Sequence, residues 1–365
     1  MLISGAGAYG ASPGGSAASI AGIYAVGRLN PKVTREVLAN RNVDGLTLRY
    51  WWRDVEPSEG AFDWGKVDRD IAEARSYGKK VSLTVGAGYG TPPWVFTDGA
   101  QPFTFRWTMQ WGPPVCSEQR IPVPWDLVFL SKWRAFVREF GRKYDSNPAV
   151  VLIKLTGVNS ATAETNLPRQ KGKMIERKGT SCASSDDIAE WRQLGYTDQK
   201  VASAWTEIAD TFAQSFPHKK FALQTGPNSL PNLNAPARGR RRGGGGGGRV
   251  KDQQPENLAN EGISRYDGQF VVQNNFLSAF RNWEELAQYS KRTATGDQML
   301  WWVTGDKNCR MNHKIQPCDP RTVMQAAINR GIDAGAIYLE IYTQDILNPN
   351  LQDLLASTHQ RLAPR

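Results

Sequence analysis

Trp51, Trp52, Asp54 and Glu56 follow one alternating apolar segment, and Tyr89, Pro92 and Trp94 follow another. Flat aromatic rings and carboxylates therefore recur where a strand gives way to a loop. Indole faces bury large areas against the apolar side of a pyranose ring and keep an oriented N–H donor. Thirteen tryptophans are many for 365 residues, and Trp94, Trp107, Trp111 and Trp125 gather in or beside one loop, which favours a sugar-stacking group over isolated core residues. Gln273, Asn274 and Asn275 would add uncharged hydrogen bonds to sugar hydroxyls. Glu340 stands inside the apolar run AIYLEIY, where a carboxylate is costly unless paired. The alternation there puts Tyr338, Glu340 and Tyr342 on one face.

These residues need a scaffold that gathers loop ends. Leu46, Leu48 and Tyr50 alternate with Thr47 and Arg49, Val67, Ile71 and Ala74 recur at helical spacing, and 81–85 is a short buried run. Repeated along the chain, this pattern predicts strands near 20–26, 45–50, 81–85, 150–155, 221–225, 270–273, 300–303 and 336–341. Helices are expected over 125–144, 198–216, 283–291 and 321–334. Asn30-Pro31 opens the first helix, Asn147-Pro148 closes the third, and Asp319-Pro320 opens the seventh. Eight alternating pairs with parallel strands imply a single (β/α)8 TIM barrel of the α/β class with long βα loops, its site at the C-terminal strand ends. The expected organisation is a flexible segment over 1–18 and one barrel domain over 19–365. Long loops at 86–124, 157–197 and 226–256 would form the substrate walls.

The motif VEPSEGAFDWGKVD with GKKVSL, at 55–83, resembles the second strand-helix-strand passage of the clan A glycoside hydrolases. The resemblance implies a barrel that acts on O-glycosidic bonds through two Glu residues. One follows an Asn at the end of the fourth strand, and the other ends the seventh. Retaining hydrolysis places such carboxyls about 5–5.5 Å apart, one as acid and base and one as nucleophile. This chain departs from the pattern at both places: the fourth strand continues into Asn159-Ser160, and LWWVTGDKNC carries no Glu near Gly305. The substitute pair expected is Glu164 as acid and Glu340 as nucleophile, with Asp306 as another candidate. The Arg of the second strand, Arg49 here, hydrogen-bonds the nucleophile in that clan and keeps it ionised. Asn159 would contact the hydroxyl next to the anomeric carbon. With Arg49 and Asn159, the substrate-binding residues expected are Trp51, Trp94, Gln273, Asn275, Trp302 and Asp306. A barrel that binds glycans without cutting them is the alternative reading.

The net charge of +10 raises the question of polyanions. Much of the excess is local: Arg238, Arg240, Arg241, Arg242, Arg249 and Lys251 surround the tract 243–248. An Arg/Gly insert over 235–255 without interleaved aromatics reads as a disordered loop. Polyanion binding through it is a second alternative, and nucleic acid is not the expected partner. Cys116, Cys182, Cys309 and Cys318 all fall in loops, which suggests the disulfides Cys116–Cys182 and Cys309–Cys318. No CxxC pair occurs and three histidines are available, so no metal or other cofactor is expected. The cysteines alone point to a secreted or periplasmic protein, since 1–19 shows no evident signal peptide. No apolar run approaches the length of a membrane span.

Overall fold

The computed structural model describes residues 19–27, 34–109, 112–177, 180–233, 253–316 and 318–363. Eight parallel strands close into a barrel. In chain order the strands of the molecule are β1 (Gly22–Val26), β2 (Gly45–Trp51), β3 (Lys80–Gly86), β4 (Pro102–Arg106), β5 (Glu118–Pro122), β6 (Val150–Leu155), β7 (Lys171–Arg177), β8 (Thr180–Asp186), β9 (Lys220–Thr225), β10 (Phe270–Leu277), β11 (Ala294–Met299) and β12 (Tyr338–Tyr342). The barrel runs β1-β12-β11-β10-β9-β6-β3-β2, while β4-β5 and β7-β8 are antiparallel hairpins in the loops after β3 and β6. The (β/α)8 architecture expected from the sequence is the one found.

Period-2 alternation sorts each barrel strand into an outer and an inner face. Leu46, Leu48, Val81, Leu83, Val85, Ile153, Leu155, Phe221, Leu223, Leu339 and Ile341 join the cluster shared with the helices. Helix 127–144 shows how a segment is recruited to that layer. Asp126 caps it by accepting from the Phe129 N–H, and Phe129, Leu130, Trp133, Phe136, Val137 and Phe140 form its buried stripe. Burying each such side chain is worth roughly 1.5–3 kcal/mol.

The inner face is tiered. At the N-terminal end Tyr24, Leu152, Ala222, Val271 and Tyr338 make an apolar plug. Gly296 on β11 makes room for it: a Cβ there would lie 2.1 Å from the Tyr338 ring. Above the plug, the next inward residues are polar and buried, among them Thr47, Arg49, Lys154, Gln273 and Glu340. Asn275, Gln298 and Tyr342 come next, at the C-terminal mouth.

Both expected disulfides are present, Cys116–Cys182 with Cα atoms 5.1 Å apart and Cys309–Cys318 at 5.7 Å. The first ties the β4-β5 loop to the β7-β8 hairpin. Asp319 caps helix 320–333 by accepting from the Thr322 N–H, as its Asp-Pro pair implied. Two expectations are corrected. The seventh barrel strand is Ala294–Met299 rather than 300–303, which is loop. Half of its residues ATGDQM are polar although the strand is largely buried, so they gave no apolar signal, whereas the adjacent Leu-Trp-Trp-Val did. The helix expected over 283–291 is a single turn, Leu286–Tyr289. Asn30-Pro31, Trp111, residues 1–18 and the insert from 235 to 252 lie outside the described residues. Among the described residues, no helix is long and apolar enough to cross a membrane, and no three His, Cys, Asp or Glu side chains group as a metal site.

Candidate active site

Glu340 lies mid-strand on β12, facing inward and fully buried. One carboxylate oxygen accepts from the Thr47 hydroxyl at 2.8 Å and pairs with the Lys154 ammonium at 2.8 Å. The other accepts from Gln273 Nε2 at 3.0 Å and lies 3.7 Å from an Arg49 guanidinium nitrogen. Burial works to raise the Glu340 pKa, but Lys154 and Arg49 outweigh it, and the net direction is downward. Glu340 is thus an ionised carboxylate enclosed by donors, and the face it occupies is the interior one. Gln273 is equally committed, its oxygen accepting from Lys154 and, at 2.7 Å, from the Tyr338 hydroxyl.

One tier higher, the network turns toward solvent. Asn275 on β10 accepts from Gln273 Nε2 at 2.8 Å and donates to half-buried Glu164 at 3.0 Å. The same Asn275 nitrogen is 3.5 Å from Gln298 Oε1 on β11. Arg49 Nη2 also donates to that Gln298 oxygen, and Gln298 Nε2 lies 3.4 Å from the Tyr342 hydroxyl. Burial raises the Tyr342 pKa to about 12, so its hydroxyl is held neutral. Glu164, Asn275, Gln298, Arg49 and Tyr342 therefore converge at the barrel mouth.

The loop after β6 delivers Glu164. Asn159 accepts from the Gly157 N–H at 3.0 Å and donates to the Thr162 carbonyl at 2.9 Å, which folds the loop back. An isolated bridge from Asn159 to Thr165 and a bond from the Thr165 N–H to the Gln224 carbonyl then fix the segment across the end of β9. Asn159 itself is buried, with both side-chain ends engaged by its own loop.

After β11, Trp301 and Trp302 stack with centroids 3.8 Å apart, and Trp302 meets Tyr342 edge-on at 5.5 Å. Buried Asp345 holds the loop by accepting from the Val303 and Thr304 N–H groups. Asp306 lies beyond this platform. Its carboxylate accepts from the backbone of Asn308 at 3.1 Å and Arg310 at 2.6 Å, which shapes the loop closed by Cys309–Cys318.

Trp51 continues the inward row of Thr47 and Arg49 at the C-terminal end of β2, and the other aromatic candidates pack in the surrounding loops. Trp51 is buried over Gly86 and Gly90, edge-on to Tyr89 at 4.8 Å. Trp94 packs edge-on to Trp52 and donates to the Glu56 carbonyl at 3.2 Å. Trp107 is fully buried, and Trp125 joins Trp191 and Tyr196.

Residues 37–160 match the profile of glycoside hydrolase family 42, described as beta-galactosidase. The matched segment contains the motif at 55–83. The catalytic domain of a beta-amylase from Paenibacillus polymyxa shares the fold, with a TM-score of 0.58 at 10% identity over 93% of this chain and 98% of that one. Also similar are a cold-adapted beta-galactosidase from Rahnella sp. R3 (TM-score 0.49, 12% identity, 90% of this chain and 53% of that one) and endo-glycoceramidase II from Rhodococcus sp. (0.47, 12%, 92% and 78%). No curated protein sequence matches the chain.

Set beside the clan A pattern, the correction to the seventh strand matters most. The strand ends at Met299, so its last inward residue is Gln298 rather than a residue near Gly305. Sequence reading missed Gln298 because it looked past the strand. The signal available was Arg49: the residue that receives its guanidinium identifies the position across the barrel.

Proposed function

We propose that the chain is an exported glycoside hydrolase whose general acid is Glu164. The observation that carries this reading is the chain of contacts Glu164–Asn275–Gln298–Arg49 at the C-terminal mouth, where barrels of this kind hold their sites. Glu164 is the carboxyl of that set with access to solvent, and it faces an amide donor rather than a fixed cation. Trp302 and Tyr342 supply a wall on which a sugar ring packs. The two disulfides favour an oxidising compartment.

This reading differs from the two-carboxylate pairing of Glu164 with Glu340. A nucleophile must touch the anomeric carbon, and Glu340 has no exposed surface and four donors around its oxygens. We assign Glu340 the role of positioning Arg49 and Gln273. In this reading Asn159 and Asp306 shape loops, and Gln298 stands where the clan places its nucleophile. Wild type and Glu164→Gln should be assayed on aryl glycosides with good and poor leaving groups. With poor leaving groups the variant should lose about 10²–10⁴-fold in turnover, while dinitrophenyl substrates lose far less. Equal activity of the two proteins would remove Glu164 from the chemistry.

A further inference from the structure

We infer that the substrate carries an acetamido group on the carbon next to the anomeric centre, and that this group supplies the nucleophile that the described residues of the mouth do not. The inference rests on the glycosidase reading above. Cleavage with a single accessible carboxyl needs a second group on the opposite face of the ring. The mouth offers Gln298 there, and a neutral side-chain amide with its oxygen already bonded to Arg49 is a poor nucleophile. Activating a water for inversion requires a second carboxylate about 6.5–9.5 Å from the acid with room for that water. Among the described residues, the carboxyls bonded to inward-facing side chains of β10 are Glu164 and Glu340, and the second is sealed beneath the polar tier. The missing nucleophile therefore enters with the sugar.

The chemistry balances without another reagent. Glu164 gives its proton to the glycosidic oxygen, the bond from C1 to that oxygen breaks, and the acetamido carbonyl oxygen bonds C1 from the other face as an oxazolinium. Water then attacks C1, its proton passes to the Glu164 carboxylate, and the bond between C1 and the acetamido oxygen breaks to restore the acetamide. Two inversions give net retention, and one water is consumed. Gln298 Nε2 and the Tyr342 hydroxyl, 3.4 Å apart, are neutral hydrogen-bonding groups matched to an amide rather than to a charged group.

The test compares aryl 2-acetamido-2-deoxyglycosides with their 2-hydroxy counterparts in the gluco and galacto series. The inference expects kcat/KM higher by about a hundredfold or more for the acetamido sugars. It also expects a fall of about tenfold or more when the N-acetyl group is replaced by N-trifluoroacetyl, and retained configuration in the first-formed product. Equal or faster turnover of the 2-hydroxy sugars, or inverted product, overturns the inference and leaves the glycosidase reading standing. No turnover of either series overturns the glycosidase reading itself.

Discussion

Removing the charge of Glu340 should destabilise the barrel more than it alters any solvent-exposed chemistry. In Glu340→Gln the buried ammonium of Lys154, 2.8 Å away, loses its counter-ion, and Arg49 loses its second acceptor group. Breaking a buried pair by removing one partner costs about 3–5 kcal/mol. At about 2 °C per kcal/mol for a chain of this size, Tm should fall by about 6–10 °C. Lys154→Met should cost a comparable amount, because it leaves the buried Glu340 carboxylate with Arg49, 3.7 Å away, as counter-charge in place of an ammonium at 2.8 Å. The double variant should be more stable than the sum of the two losses predicts, by about 2 kcal/mol or more, since no unpaired charge remains on that side. Chemical denaturation of the four proteins gives the cycle directly. Additive losses would show that Lys154 and Glu340 do not act as a pair. A Glu340→Gln protein of wild-type stability that is inactive would make Glu340 a reacting group and refute the positioning role.

Two other outcomes follow from the mouth and the outer wall. Gln298→Glu places a carboxylate beside Arg49, so turnover of 2-hydroxy aryl glycosides should rise by about tenfold or more, with retained configuration; unchanged rates on these substrates would remove Gln298 from the reacting face. Asp297, fully buried between the amides of Asn274 and Asn282, has its pKa pushed up to about 7, chiefly by burial. A carboxyl raised in the folded state binds more protons there than in the unfolded chain, so stability falls as pH rises from about 4 to about 7, by up to about 4 kcal/mol. Asp297→Asn should flatten that slope in denaturation curves taken across the window, and an unchanged slope would refute the assignment.

The outer face of the barrel was legible because its residues obey one rule. Leu46, Leu48, Val81 and Leu83 are apolar on alternate positions, and Val67, Ile71 and Ala74 recur at helical spacing. The inner face obeys a different rule that a single sequence hides. Lys154, Gln273, Gln298 and Glu340 come from four strands, and each is tolerable only because of the others. Strand β11 hides itself on both faces: inward Gln298 and outward Asp297 look like loop residues until Arg49, Asn274 and Asn282 are set beside them. Glu164 was visible as a carboxylate near the end of the fourth strand. Its partner Asn275, more than a hundred residues away, was visible only as an amide. An indole packs a loop as well as it stacks on a sugar, and the packing neighbours, Gly90 for Trp51 and Trp52 for Trp94, are far from evident in a linear chain.

The bridge from Cys116 to Cys182 closes a covalent ring with a sequence separation of 66 residues. Inside that ring run helix 127–144, strand β6 and the segment that presents Glu164. By loop-closure entropy such a ring is worth about 4 kcal/mol, which is comparable to the whole folding margin of many domains. One amino-acid sequence thus specifies two molecules. Where thiols are oxidised, a segment holding one of the eight barrel strands is circular and its ends cannot diffuse apart. Where they are reduced, the same segment is linear, and the carboxyl placed over the mouth is held by the hydrogen bonds of its loop and by packing alone.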